Sequence, residues 1–313
     1  MIAWLTGKLA YLSTWFGLKI GCLALQICPG AIFRLSDGLA KIGFYLLLGF
    51  RTRSIANIRV ALGDGLSPGE IGGVARQSLR NFFRACVEIG VAAVATDAKL
   101  KAEIPIVGRK NLDVALAKGK GVLLLSAHLG NFFLVGCRLA LEGMPTFVLV
   151  NQPRDGRFAE LMDDYRLRVR QKTIHARPRP RALRELTEVL RRNQIAVVIA
   201  DEYRRGSGIE VPLFGKTVIA RRGAVSLALR TGAAVVPAFM VRQADDSLRL
   251  VIEPELELAR EERNAAAVRE NTIRITRWLE RTVRSYPEQW NWMNIHWWVE
   301  ETSSRTPSKR QNN

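Results

Sequence analysis

The chain has 313 residues, 48% of them apolar, and a formal charge of +18 with a pI near 10.5. That much apolar material builds a full core and excludes both a disordered chain and a small disulfide scaffold. The charge calls for an acidic partner. With no RNP-type motif or zinc-finger spacing in the chain, that partner is an anionic membrane surface or an acidic macromolecule rather than nucleic acid.

Residues 1–50 form an apolar segment in which Trp4 to Phe50 carries only Lys8, Lys19, Arg34, Asp37 and Lys41. Leu9 to Cys28 is long enough to span a bilayer, but Lys19 near its middle is costly in hydrocarbon. Leu39 to Phe50 is too short to span. A basic n-region and a small-x-small cleavage site are both missing, so the segment reads as retained membrane-associated helices rather than a removable leader. A helical hairpin buried in the core is the competing reading. Cys22, Cys28, Cys86 and Cys137 lie in apolar stretches without CxxC spacing and are expected as buried free thiols.

A helical stretch starts at Arg51 and breaks between Gly63 and Gly69. Ser67-Pro68-Gly69-Glu70 reads as an N-cap with proline at the first helical position, opening a long helix to about Ala95. From residue 104 strands and helices alternate. Strands are expected at Val122 to Ala127, Thr146 to Val150, Ile195 to Ala200 and Ala233 to Val241, and an edge strand at Leu248 to Pro254. Helices are expected at 131–142, 156–172, 181–192, 220–231 and about 261–285. Short apolar strands separated by helices imply an α/β fold, with a mainly parallel central sheet flanked by helices. The expected organisation is an anchor at 1–50, one α/β domain at 51–301 and a disordered tail at 302–313.

Four constellations carry chemistry. His128 closes the apolar run that begins at Gly121, and a helix-like segment follows at once. Strand ends of open α/β sheets are where such folds place their chemistry. An imidazole there can move a proton at neutral pH, although a histidine bonded to backbone is the plainer alternative. Asp201-Glu202 ends another apolar strand and should lie at the same sheet edge, unless it forms a solvated turn. Residues 151–184 hold ten basic side chains against four acidic ones, Arg154, Arg166 and Arg177-Pro-Arg-Pro-Arg181 among them. Such a belt suits phosphates, an anionic headgroup or an acidic carrier protein. Val211-Pro-Leu-Phe-Gly215-Lys216 reads as a glycine-bearing loop feeding a helix, compatible with a phosphate or thioester pocket or with an ordinary loop.

In this order the segments resemble the bacterial lipid A biosynthesis acyltransferases of the lauroyl/myristoyl type, over about residues 5–298. The resemblance rests on the apolar anchor, Asn57-Ile-Arg-Val-Ala61, Ala127-His128-Leu-Gly-Asn131 and Asn151-Gln-Pro-Arg154. It continues through Asp201, Val211 to Gly215, Thr231-Gly-Ala-Ala-Val-Val-Pro237 running into Arg242, and Pro287-Glu-Gln-Trp290-Asn-Trp292. It implies a glycerolipid acyltransferase-like fold at the cytoplasmic face of a bacterial inner membrane. The implied reaction moves a fatty acyl group from an acyl carrier protein or acyl-CoA thioester to a hydroxyl of a glycolipid or lysophospholipid, with no metal and no cofactor. The family places an acid five residues after the motif histidine, where this chain has Phe133, and Asn294 stands where the family's Trp-x-Trp-x-His pattern ends. His128 carries over as general base, with Asp201 or Glu202 as its candidate partner. The expected substrate-binding residues are Gly130 and Asn131, through backbone N–H groups at an oxyanion, and Arg154 and Arg166 at phosphates, with Glu202 and Gly215 in the pocket. A lipid-binding scaffold without transfer is the alternative on the same fold.

Overall fold

The computed structural model describes residues 15, 23, 26–151, 156–203, 207–260, 264–295 and 297. Strands β2 (Val122–Ser126), β5 (Ile195–Ile199) and β8 (Ala234–Arg242) are continuous apolar runs and lie side by side in the middle of a seven-stranded sheet. Strands covered on both faces need no polar alternation. β3 (Thr146–Val150) and β4 (Lys172–His175) extend the parallel array on one side. On the other side β9 (Leu248–Ile252) pairs antiparallel with β8, and a two-residue β1 (Ile106–Val107) pairs beyond it. The sheet is thus mixed and mostly parallel, in the order β1-β9-β8-β2-β5-β3-β4. β9 is covered by β1 rather than being the outermost strand. The opposite edge is β4, a strand too short and polar to stand out in the sequence.

Helices cover both faces. Four of them, α5 (Arg109–Ala117), α6 (Leu134–Ala140), α7 (Gly156–Arg168) and the short α4 (Asp97–Glu103), pack with Val122, Leu124, Val197 and Val236. On the other face α8 (Arg179–Arg191), α9 (Gly223–Thr231) and α10 (Ala265–Ser285) pack with Leu123, Leu125, Ala196 and Val235. The expected helix over 131–142 is shorter, because residues 129–133 turn and bridge to other strands before α6 begins. The expected glycine loop at 211–216 is instead the tip of an antiparallel hairpin, β6 (Ile209–Leu213) and β7 (Lys216–Ala220). Phe214 and Gly215 both have positive φ, the conformation that a two-residue hairpin turn requires.

Residues 29–103, ahead of the first strand, are helical. Ser67 and Glu70 form a capping box at the start of α3 (Pro68–Val94), with Pro68 in the first turn. Leu39 to Phe50 is not one element: the chain breaks at Leu47, between α1 (Pro29–Leu46) and α2 (Leu48–Leu62). Asp37 ties α1 to α3 through Arg80 and Arg84, with the Asp37–Arg84 contact at 2.7 Å, and Phe44 enters the core. The opposite stripe of α1, Leu35, Leu39, Ile42 and Leu46, stays exposed. Among the described residues no helix is long and apolar enough to cross a membrane. Most of Leu9 to Cys28, together with the tail at 302–313, lies outside the described residues. Among the described residues the cysteine expectation holds at Cys137, which is buried, and not at Cys28 and Cys86, which are exposed, while Cys22 lies outside them. Burial pushes the Cys137 thiol up to about 11.

Candidate active site

β2 and β5 run in parallel register, Ser126 beside Ile199, so the residues that follow them emerge together at the carboxyl edge of the sheet. There His128 and Asp201 meet. The His128 Nδ1–H donates to Asp201 Oδ1 at 2.8 Å, and the His128 main-chain N–H donates to Asp201 Oδ2 at 2.8 Å. A third donor, the indole N–H of Trp290, reaches the same Oδ2 at 2.8 Å. Asp201 is buried. Burial by itself would raise its pKa, but the His128 charge and the bonds from His128 and Trp290 outweigh it and hold the carboxyl below its ordinary value. An ionised carboxylate only accepts hydrogen bonds, so the imidazole proton belongs on Nδ1 and Nε2 carries the lone pair. Phe132 stands edge-on to the imidazole, ring centroids 4.8 Å apart.

The strand end that carries His128 is strapped from behind. Gly130 N–H donates to Gln289 O at 2.8 Å, Asn131 N–H to Met240 O at 3.0 Å, and Asn291 N–H to His128 O at 3.0 Å. Gln289 also exchanges two side-chain bonds with the Arg242 main chain, each 2.8 Å. Three polar side chains pin the strap to the helices: Ser78 bonds Trp290 O at 2.7 Å, Asn81 bonds Glu288 O at 2.8 Å, and Asn57 bonds Trp292 O at 2.6 Å. Beneath it Arg242 and Glu88 form a buried ion pair, and the Asn131 amide donates to Glu88 at 2.8 Å. Gly130 is required here. Its φ is +57°, and a Cβ would lie 1.8 Å from Met240 O.

A cavity of about 680 Å³ opens beside the pair, lined by His128, Phe132, Phe133, Arg166, Glu202 and a largely aliphatic interior. Its size is that of a small-molecule or lipid-chain site. Arg166, paired with Asp163 at 2.8 Å, stands on its wall with Arg179 and Arg221. Tyr203 follows Glu202 into the core, where burial raises its phenol and keeps it neutral.

His128, Asp201, Glu202 and Arg166 are therefore brought to one place. Gly130, Asn131 and Gly215 are not: none of them lines the cavity. The Gly130 and Asn131 amides are consumed by Gln289 and Met240 and are not available to an oxyanion, and Gly215 sits at the exposed hairpin tip. Arg154 lies outside the described residues. Sequence reasoning missed Trp290 as the third ligand of the Asp201 carboxylate and missed the polar pins Asn57, Ser78, Asn81 and Gln289. The one available signal was the cluster of tryptophans with glutamine and asparagine after α10, which is unusual for a surface terminus.

A histidine–carboxylate pair at adjoining strand ends, beside a largely apolar cavity with arginines on its wall, defines an α/β protein of the kind that binds an apolar ligand next to a group equipped for proton transfer. The particular family follows from comparison. Residues 3–298 match the family model of the bacterial lipid A biosynthesis acyltransferases, and the chain belongs to that family of acyltransferases. It is 26% identical over 289 residues to the lipid A biosynthesis palmitoleoyltransferase of Escherichia coli (strain K12), covering 91% of this chain and 90% of the relative. The lipid A biosynthesis lauroyltransferase of the same organism is 21% identical over 290 residues, covering 91% and 90%. A phosphatidylinositol mannoside acyltransferase of Mycobacterium tuberculosis (strain ATCC 25618 / H37Rv) is 30% identical over 132 residues, or 42% of each chain.

Proposed function

We propose that the protein transfers a fatty acyl group from an acyl carrier protein or coenzyme A thioester to a hydroxyl of a membrane glycolipid or lysophospholipid. The single observation that carries this reading is His128 held by Asp201 at the mouth of an apolar cavity. His128 Nε2 takes the acceptor hydroxyl proton as the oxygen attacks the thioester carbonyl carbon. Collapse of the tetrahedral intermediate breaks the C–S bond, and the imidazolium returns the proton to the departing sulfur. Asp201 fixes the tautomer and stabilises the imidazolium. Arg166, Arg179 and Arg221 supply positive charge where the carbonyl oxygen and the phosphates of donor or acceptor arrive.

The membrane places the acceptor. The exposed stripe of α1 continues into Leu47 and Leu48, with Arg34, Lys41 and Arg53 exposed nearby. An apolar helix face rimmed by basic residues suits a helix lying in the interface of an anionic bilayer. The proposed location is the cytoplasmic face of a bacterial inner membrane, where such a helix would meet anionic lipid. The lipid-binding scaffold alternative drew on the phenyl ring at Phe133 in place of an acid. Asp201 supplies a carboxylate at Nδ1, which favours transfer.

The test is purified protein with a labelled acyl thioester and a lipid extract. Wild type should yield a product heavier by one acyl chain, and His128→Ala should lose nearly all of it. Equal product from His128→Ala would remove the histidine from the mechanism.

A further inference from the structure

The cavity reaches both faces of the sheet. β3 and β5 pair only as far as Val148 beside Val197. Beyond that point β3 stays with β4 as far as Val150 beside His175, and β5 stays with β2 as far as Ser126 beside Ile199. The sheet therefore splits at its carboxyl edge between β3 and β5. The cavity lining straddles the split: Val148 and Val197 pack on the α6/α7 side, Leu149 and Val198 on the α8/α10 side.

The two lobes differ in chemistry. Under α8 and α10 the walls are mostly aliphatic, with Leu186 and Ile275 prominent and Arg179 at the first turn of α8. The Thr272 and Thr276 hydroxyls there are spent on helix carbonyls, at 2.6 and 2.9 Å. Under α6 and α7 the walls are Phe133 and Gly136, with Arg166 and Gln171 beside them. A Cβ added at Gly136 would meet Thr146 Cγ2 at 3.5 Å and Val197 Cγ2 at 3.9 Å, so alanine fits and anything longer reaches into the lobe. A helix interior otherwise favours alanine over glycine, and at Gly136 the glycine stands on the cavity wall, where any side chain would narrow the lobe.

We propose that the two lobes hold two different hydrocarbon chains during one reaction, the donor's acyl chain under α8 and α10 and a chain already carried by the acceptor under α6 and α7, with Gly136 limiting the acceptor chain. This rests on the acyl-transfer reading. Donor carbonyl and acceptor hydroxyl must both reach His128, and two chains leaving one reacting centre avoid each other on opposite sides of a split sheet. Apart from Arg179 and two threonines whose hydroxyls are bonded to helix carbonyls, the lobe under α8 and α10 is aliphatic and suits an unsubstituted tail. The lobe with Gln171 and Arg166 suits an acceptor whose chain bears polar substituents.

The experiment uses the full chain with saturated acyl thioesters of graded length and acceptors whose own chains are graded in length. Ile275→Phe should lower kcat/KM for the longest donor by about tenfold or more, the scale on which a pocket discriminates a methylene, and leave the acceptor profile unchanged. Gly136→Leu should do the reverse. Gly136→Ala, which the backbone accommodates, should show a smaller effect of the same kind and guards against misfolding of the leucine variant. If both positions shift the donor profile, or neither shifts any profile, the proposal falls while acyl transfer stands. A second measurement is independent of turnover: a thioester and an acceptor analogue, each with a diazirine at its chain end, are photolysed on the protein. Labels on α8 or α10 for the first probe and on α6 or α7 for the second support the assignment. Both labels in one lobe overturn it. Wild-type protein that transfers nothing sinks the acyl-transfer reading, and the labelling then decides the lobes alone.

Discussion

Replacing Asp201 by asparagine changes no volume and removes one charge, and the surrounding bonds dictate how the new amide must sit. Asp201 Oδ2 accepts from two donors, the His128 main-chain N–H and the Trp290 indole N–H, each at 2.8 Å. An amide NH₂ turned toward them would leave both buried donors unsatisfied, at about 1–3 kcal/mol each. The amide oxygen therefore takes the Oδ2 position and the NH₂ faces His128 Nδ1. Nδ1 then has to accept, the ring proton moves to Nε2, and the nitrogen proposed as base is blocked. Loss of the charge also removes the stabilisation of the imidazolium. In the serine-protease case the same change costs about 10⁴ in kcat, and a drop of that order is expected here with KM nearly unchanged. The assay is single-turnover acyl transfer with a purified thioester donor, with thermal unfolding measured alongside. Activity within tenfold of wild type in a folded variant would refute the reasoning.

Trp290→Phe keeps the ring packing and deletes one donor to Asp201. A bond to a charged acceptor contributes about 1.5–3 kcal/mol, and its loss lets the Asp201 pKa rise. Because that pKa is depressed in the folded protein, its stabilisation is complete above the unfolded value of about 3.9 and is lost as pH falls through the folded value. The acid-unfolding midpoint of the variant should accordingly move to higher pH, and an unchanged midpoint would mean the indole bond contributes nothing. Phe133→Glu places a second carboxylate on the cavity wall although Nδ1 is already occupied, so transfer should fall. A rise in the same assay would show that Asp201 does not serve as the partner. Gly130→Ala should destabilise by more than the roughly 1–3 kcal/mol of a left-handed residue alone, since its methyl group overlaps Met240 O; denaturant titration reads this directly. Arg242→Met leaves Glu88 buried and unpaired, for a loss of about 3–5 kcal/mol, and adding Glu88→Gln should restore much of it.

The alternation of strands and helices was readable because buried parallel strands are unbroken apolar runs and their ends carry the first polar residues. The same logic located His128 and Asp201, each the first titratable side chain after such a run. Elements with few local cues were not readable. β4 is four residues of mixed polarity. The β6–β7 hairpin looked like a loop because Phe214-Gly215 lacks the usual asparagine or aspartate. The supposed helix start after His128 failed because Gly130 turns the chain toward Met240, a contact 110 residues away in sequence and invisible locally.

Residue order along the chain thus settled the fold class, the basic and apolar character, and which imidazole and which carboxylate stand at strand ends. Nothing local could settle that these two residues, 73 positions apart, touch. That followed from the parallel register of β2 and β5, which places Ser126 beside Ile199. Nor could local pattern show that a distant tryptophan completes the carboxylate's shell, or that β3 parts from β5 to open the cavity. Strand neighbours and register are chosen by packing over the whole sheet, and a hydrogen bond between distant segments exists only once that choice has been made.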